Sequence, residues 1–427
     1  MTTPTMVNAY TPGSGNLSPQ DEARVARRAR LLGPAYRLFY ETPIHLVRGE
    51  GVWLYDAEGK AFLDCYNNVA SLGHCHPHVV AATARQSAIY ASHTRYLNDT
   101  VLDYAERLIA TFPEELDHVM FTCTGSEAND LALRIAIAHT DGTGVIVTEN
   151  AYHGVTLSTA AMSPSLGAGV PLGGHVRTVP APTDAARFTA DVQAAIHDLQ
   201  RHGIKPAALL VDTIFSSDGV YAHPAGFLKP AAEAIRAAGG LFIADEVQPG
   251  FARTGEAMWG FQRHGLIPDM VSMGKPMGNG YPVAGLALKA SVIKNFGNRA
   301  RYFNTFGGNA VAAATAMAVL EVIEGEGLRA NATSTGAYFR DGLLALAKRH
   351  DSLGPLRAAG LFLGQDIVTD GKPDAKKAAR VVNRMRENGV LISATGPQGH
   401  VLKIRPPLIF RPDHVDRVLD SLSSALS

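Results

Sequence analysis

Six short apolar runs recur through the middle of the chain, each closed by a polar or glycine-containing turn. They are HVMFTCT (118–124), GVIVTEN (144–150), PAALLVDTI (206–214), GGLFIADEV (239–247), DMVSMG (269–274) and VAGLALK (283–289). Continuous rather than alternating hydrophobicity predicts strands buried on both faces. Alanine-rich, helix-favouring segments separate several of them, among them EANDLALRIAIAHT and GFLKPAAEAIRAAG. Buried runs alternating with helices predict an α/β chain with a mostly parallel sheet covered on both sides. Active sites in such sheets gather at the carboxyl ends of the strands.

The flanks follow other patterns. Residues 35–65 contain VRGEGVWLYDAEGKAFLDC, two short alternating runs around turn signals, which predict an antiparallel meander. Residues 325–427 mix helical segments (TGAYFRDGLLALAKRH, AKKAARVVNRMRENG) with short strands (GLFLGQDIV, GVLISAT, HVLKIRPPL). The expected division is a large domain over 66–324 and a small α+β domain over 325–427, with 1–65 contributing to the small one.

Composition narrows the function classes. With 427 residues, 46% of them apolar, the chain can bury a large core and form two domains. Lys plus Arg and Asp plus Glu both number 39, so nothing favours a nucleic-acid partner. The basic stretch RVARRARLL reads as a solvated helix face. No run approaches the roughly 18 apolar residues of a membrane span. The polar opening MTTPTMVNAYTPGSGNLSPQ reads as a loose tail rather than a signal peptide. Cys65, Cys75 and Cys123 are odd in number and lack a CxxC pair, which fits a reducing cytoplasm and no disulfide framework.

Three places carry candidate chemistry. In FTCTGSEANDLALRIA a strand ends and a strong helix begins at a Thr-Gly-Ser turn. Free N–H groups at a helix start make an anion site, although an ordinary helix capped by Thr124 or Ser126 has the same signature. Asp245 closes the apolar run GGLFIADEV, where a carboxylate either pairs with a cation or faces a site. Lys275, in VSMGKPMGNG, ends another run, and a lysine buried there would be more nucleophilic. Pro276 follows it where a phosphate-cradling Gly-Lys-Ser/Thr loop needs a hydroxyl residue, and no GxGxxG spacing is present. The order is informative. An anion-binding helix start, the aromatic Tyr152 of NAYHG, a strand-end Asp and a strand-end Lys match the needs of pyridoxal phosphate. Its phosphate needs N–H donors, its ring a stacking partner, its pyridine nitrogen a carboxylate and its aldehyde an amine.

The motifs GSEAND, AYHG, ADEVQ with GFARTG, SMGKPMGNG and NTFGGN make the chain resemble a class III, fold-type I pyridoxal-phosphate enzyme over residues 35–420. The resemblance implies that family's large domain, with a mostly parallel seven-stranded sheet, and a small domain built from both termini. It implies that Gly125 and Ser126 hold the cofactor phosphate and that Tyr152 stacks on the ring. Asp245 would pair with the ring nitrogen, Val247 pack on the opposite face, and Gln248 reach the ring hydroxyl. Lys275 would be the point of covalent attachment. Thr305 would reach the cofactor phosphate of a second subunit, making a homodimer with shared sites.

CYNNVASLGHCHP, FNTFGGN, GLFLGQDIV and VLISATGPQGHVLKIRPPL are further similar to the branch of ethanolamine-phosphate and 5-phosphohydroxylysine phospho-lyases. That resemblance implies elimination of phosphate from an amino-alkyl phosphate, with ω-amine transamination as the alternative. Many aminotransferases carry an acid in a segment like EPIxSEGG; here the segment is DTIFSSDG and the matching position is Ser217. Arg405 of KIRPPL is the first candidate for the substrate phosphate, its guanidinium suited to bidentate contact. Asn68, Tyr36 and Arg37 are further candidates. His74, His76 and His78 lack an acidic or cysteine partner at a motif spacing, and the stretch reads as a turn rather than a metal site.

Overall fold

The computed structural model describes residues 6–427. Three strands come first: β1 (Leu46–Glu50), β2 (Trp53–Asp56) and β3 (Ala61–Asp64). Seven occupy the middle: β4 (His118–Thr122), β5 (Gly144–Thr148), β6 (Val176–Val179), β7 (Pro206–Asp212), β8 (Leu241–Asp245), β9 (Met270–Met273) and β10 (Ala284–Leu288). The C-terminal part carries β11 (Leu353–Ala359), β12 (Phe362–Thr369), β13 (Lys372–Pro373), β14 (Val390–Leu391), β15 (Ser393–Thr395) and β16 (Val401–Ile404).

The middle seven form one sheet in the order β4-β10-β9-β8-β7-β5-β6. Only β10 runs against its neighbours; the pairs from β9 through β6 are parallel. Each of the six predicted runs is a strand. Alternate residues of one strand enter different cores: Leu209 and Val211 pack on one face, Ala208 and Leu210 on the other. That double burial is why the runs are continuously apolar. The seventh strand, β6, has no counterpart among the predicted runs. VRTV is a four-residue edge strand with Arg177 and Thr178 half-buried, so it needed no apolar run.

The C-terminal sheet is antiparallel, in the order β11-β12-β16-β15. β14 leaves it and pairs in parallel with β3, joining Val390 to Leu63 and Leu391 to Asp64. The meander β1–β3 is thereby tied to the end of the chain. β11 also has no counterpart among the predicted strands; Gly354 and Pro355 interrupt its apolar pattern. It is an edge strand, and its register shifts between Leu353 and Leu356, which accommodates the proline's missing N–H.

The opening segment is not loose where it is described. Asn8 is buried, Tyr10 N donates to Leu38 O (2.8 Å) and Tyr40 N donates to Asn8 O (2.8 Å). The first five residues of that stretch lie outside the described residues. The basic helix Pro19–Leu32 buries none of its residues. His74, His76 and His78 each meet a different carboxylate: Asp64 at 2.8 Å, Glu326 at 3.1 Å and Glu321 at 2.6 Å. Among the described residues no helix is long and apolar enough to cross a membrane.

Candidate active site

The helix Gly125–Thr140 starts directly after β4 with a reciprocal cap. Thr124 Oγ1 accepts from Glu127 N (3.2 Å), and Glu127 Oε2 accepts from Thr124 N (2.9 Å) and Cys123 N (2.8 Å). Such a cap contributes about 1 kcal/mol and fixes the entry angle. It engages the third helical N–H and leaves those of Gly125 and Ser126 ahead of the first intrahelical bond, free to meet an anion. Small residues are required here. A Cβ on Gly125 would lie 2.8 Å from Val247 Cγ2, and one on Gly154 would lie 2.6 Å from Ser126 Oγ.

Asp245 ends β8 and is buried. Its Oδ2 accepts from Asn129 Nδ2 and meets His153 Nδ1, both at 2.8 Å, and its Oδ1 accepts from Val247 N (3.1 Å). Burial pushes the carboxyl up, but His153, Asn129 and the Val247 N–H outweigh it and hold the group below the ordinary aspartate range. Charge-assisted bonds contribute roughly 1.5–3 kcal/mol each, enough for three of them to offset desolvation. The site therefore keeps a carboxylate charged inside the protein. Two atoms beside it, Asn129 Oδ1 and His153 Nε2, are buried without a protein partner among the described residues.

Lys275 follows β9 at the start of a single 3-10 turn, Lys275–Gly278. Burial lowers its ammonium below the ordinary lysine range, and the charge of Arg405 lowers it further. Asn279 anchors the turn: its Oδ1 accepts from Leu72 N (2.8 Å) and its Nδ2 donates to Gly73 O (2.9 Å). Gly125, Ser126, Asn129, Tyr152, His153, Gly154, Asp212, Asp245, Val247, Gln248 and Lys275 enclose one cavity of about 100 Å³. The strand-end residues Lys275, Asp245 and Asp212 come from adjacent parallel strands, as the doubly covered sheet requires.

Arg405 follows β16 and is buried. Its Nη1 donates to Gln248 Oε1 (2.5 Å), and its guanidinium lies 4.7 Å from the Tyr66 ring centroid. Asn68 is buried at the same edge, donating to Gln248 O (3.0 Å) while its Oδ1 is unpartnered among the described residues. Tyr36 and Arg37 are exposed, and Tyr36 meets Arg28 rather than the cavity lining. Thr305 is exposed and is not part of the lining. Ser217 is half-buried, its carbonyl accepting from Thr395 Oγ1 (3.1 Å). Asp218 is not part of the cavity lining; it accepts from Thr148 Oγ1 (2.8 Å) and Asn150 N (3.3 Å).

The family model for class III aminotransferases matches residues 38–426. The chain belongs to the class III aminotransferase family. It is 38% identical to an alanine–glyoxylate aminotransferase 2-like protein of Drosophila melanogaster, over 92% of this chain and 84% of that one. It is 35% identical to ethanolamine-phosphate phospho-lyase homolog 1 of Caenorhabditis elegans, over 95% of this chain and 93% of that one. Among solved structures it is similar to a phospholyase from Arthrobacter in complex with phosphoethanolamine. The identity is 43%, with a TM-score of 0.92 over 94% of this chain and 99% of that one.

Members of this class III family depend on pyridoxal 5'-phosphate, and the residues here fit it. The glycine cradle at 125 and 154 leaves the close approach a phosphate needs, and the charged Asp245 suits a protonated ring nitrogen. The residues that would hold the cofactor are Gly125, Ser126, Tyr152, Asp245, Val247, Gln248 and Lys275.

Three residues of the site were missed as such in the sequence. Asn129 stands one turn inside the helix, within GSEAND, and was assigned no task. His153 stood beside Tyr152 in NAYHG without an assigned task. Asp212 ends an apolar run just as Asp245 does, which was the available signal. Its carboxylate accepts from Ile214 N (3.0 Å) and Ser216 N (3.1 Å), and burial, with Asp245 nearby, pushes its carboxyl up.

Proposed function

We propose that this chain is a phospho-lyase acting on an amino-alkyl phosphate, with O-phosphoethanolamine the substrate and acetaldehyde, ammonia and phosphate the products. The observation that carries the reading is Arg405. It is a buried cation whose side-chain hydrogen-bond partner is the neutral Gln248, set against an aromatic ring; where many aminotransferases hold an acid, this chain has Ser217. Arg405 lies one hydrogen bond behind the cavity lining, on Gln248, and a cation so placed favours an anionic substrate group. The similarity to a phospholyase with phosphoethanolamine bound supports the same reading.

Pyridoxal phosphate, when bound, supplies an electron-accepting ring conjugated to the substrate nitrogen. Asp245 holds the proton on the ring nitrogen, and His153 and Asn129 keep that carboxylate ionised. Lys275, with its lowered proton affinity, takes the proton from the substrate carbon that bears nitrogen. Arg405 holds the phosphate so that the adjacent C–O bond can break, and takes up the leaving dianion. Water then converts the two-carbon amine fragment to acetaldehyde and ammonia. The route requires no amino acceptor.

Two copies assemble with shared sites in this reading. The exposed Phe303 and Phe306 near Thr305, with Arg95 3.7 Å from the Phe303 ring, offer an aromatic face for a partner. The unpaired Cys65, Cys75 and Cys123 support a reducing, cytoplasmic setting.

The test is incubation with phosphoethanolamine and no keto acid. Phosphate and acetaldehyde are expected in equal amounts over many turnovers. Turnover that begins only with pyruvate or glyoxylate, with the amino acid accumulating, would make the chain an aminotransferase, the activity named for its Drosophila relative.

A further inference from the structure

The sequence reading left a buried lysine without a task. Lys403 lies on β16 and is 8% exposed. Among the described residues the lysine in an ion pair is Lys289, on Asp269 at 2.7 Å; Lys403 forms none, and no hydrogen bond satisfies its ammonium. An unpaired buried ammonium costs several kcal/mol, so its retention asks for an anion supplied from elsewhere.

The register shows where it points. Lys403 stands directly opposite Gly364 of β12 and Ser393 of β15. Directly opposed residues of antiparallel strands share a face. A Cβ on Gly364 would meet Val220 Cγ2 at 2.9 Å and Gly219 O at 3.1 Å, so this face lies against the loop that follows Asp212. Thr395, two residues on from Ser393, donates to Ser217 O on the same loop. Two residues along the face, Arg405 and Phe362 follow the same alternation. The ammonium of Lys403 and the guanidinium of Arg405 both flank the Phe362 ring, 5.7 and 5.8 Å from its centroid. Burial lowers Lys403 well below the ordinary lysine range, and Arg405 is the next largest cause. Two basic side chains stand on one face of the sheet, on either side of one ring.

The nearby carboxylates are already engaged. Asp212 accepts from Ile214 N, Ser216 N and the Ser216 hydroxyl, and Asp218 from Thr148 and Asn150. Arg405 alone matches a monoanion such as a carboxylate. A second positive charge beside it matches a phosphate dianion.

We infer that Lys403 is the specificity-determining residue of the pocket, pairing with Arg405 to select a phosphate dianion over a carboxylate on the substrate amine. The inference rests on the phospho-lyase reading above. Its test compares the cofactor-loaded wild type with Lys403→Met and Lys403→Arg. Binding of phosphoethanolamine is followed by the cofactor absorbance, inorganic phosphate by calorimetry, and β-alanine as the carboxylate probe. Methionine is close in length and apolar, so the buried site should accept it.

The expected result for Lys403→Met is a roughly tenfold or greater loss of affinity for phosphoethanolamine and inorganic phosphate together. β-Alanine binding and the cofactor absorbance should be unchanged, and Lys403→Arg should stay within about threefold of wild type. Equal weakening of all three ligands, no change in any, or an Arg variant as impaired as the Met variant each overturns the inference while wild-type turnover upholds the lyase reading. A wild type that neither binds nor turns over phosphoethanolamine overturns both.

Discussion

The two halves of the proposed site are built on opposite electrostatic plans. At the cofactor side, the buried carboxylate of Asp245 is met by a donor from each element around it: Asn129 from a helix, His153 from a loop, Val247 from the strand end. On the side where we place the substrate stand Lys403 and Arg405, and neither forms an ion pair among the described residues. The carboxylate of the first half is finished in the protein alone, and in the proposed reading the second half is complete only with an anion present. The difference separates residues that organise chemistry from residues that recognise a ligand. It also predicts how each half fails when changed.

The largest effects should come from the finished half. Lys275→Ala removes both the attachment point and the proton carrier. We expect a loss of at least about 10⁴-fold in kcat, with loss of the visible absorbance of the attached cofactor. Turnover retained at a tenth of wild type would remove Lys275 from the mechanism. Asp245→Asn keeps the shape but not the charge, and the expected loss is about 10²- to 10³-fold in kcat with little change in KM. A change confined to KM would move Asp245 to the recognising half and break the comparison.

The finished half was also the more legible one. Buried strands announce themselves by continuous apolar runs, and the residue that breaks each run marks a strand end. Lys275 and Asp245 were visible for that reason, and Gly125 and Ser126 from the cap that follows β4. The edge strands β6 and β11 were not, because half their surface is solvated and Pro355 mimics a break. Lys403 and Arg405 lie on a strand of the C-terminal sheet far along the chain from the loop they face. KIR shows two cations on one face, but nothing local shows that Gly364 opens that face toward residues 219–220. Tyr36 and Arg37 were candidates by analogy with pocket-lining segments, and the structure leaves both on the surface. Recognition is assembled from long-range contacts, whereas strand-end chemistry is written locally.

Smaller effects sharpen the boundary between the halves. Arg405→Lys keeps the charge and loses the fork and the contact with Tyr66. KM for phosphoethanolamine should rise about tenfold with kcat within threefold, measured by initial rates. Gly125→Ala pushes a methyl within 2.8 Å of Val247 Cγ2. Such overpacking costs roughly 1–3 kcal/mol, so cofactor affinity should fall by about tenfold or more in an equilibrium titration while KM for substrate is unaltered. An equal effect on substrate KM would mean that the two halves share more of their walls than the contacts indicate.

The smallest expected effect asks whether the cations truly lack an internal counter-ion. Burial pushes Asp218 from its ordinary 3.8 up to about 7. Between those values the folded protein keeps a proton that the unfolded chain has lost, so stability falls as pH rises through this window. Asp218→Asn cannot lose that proton. Its thermal midpoint should match the wild type near pH 4 and exceed it by a few degrees at pH 8, measured by scanning calorimetry. The opposite sign, a variant less stable than wild type at pH 8, would show that Asp218 is ionised and stabilised in the folded state. A cation that could stabilise it is Lys403, whose charge environment includes Asp218. Lys403 would then be balanced from within, the substrate half would be as finished as the cofactor half, and the case for a waiting anion site would rest on Arg405 alone.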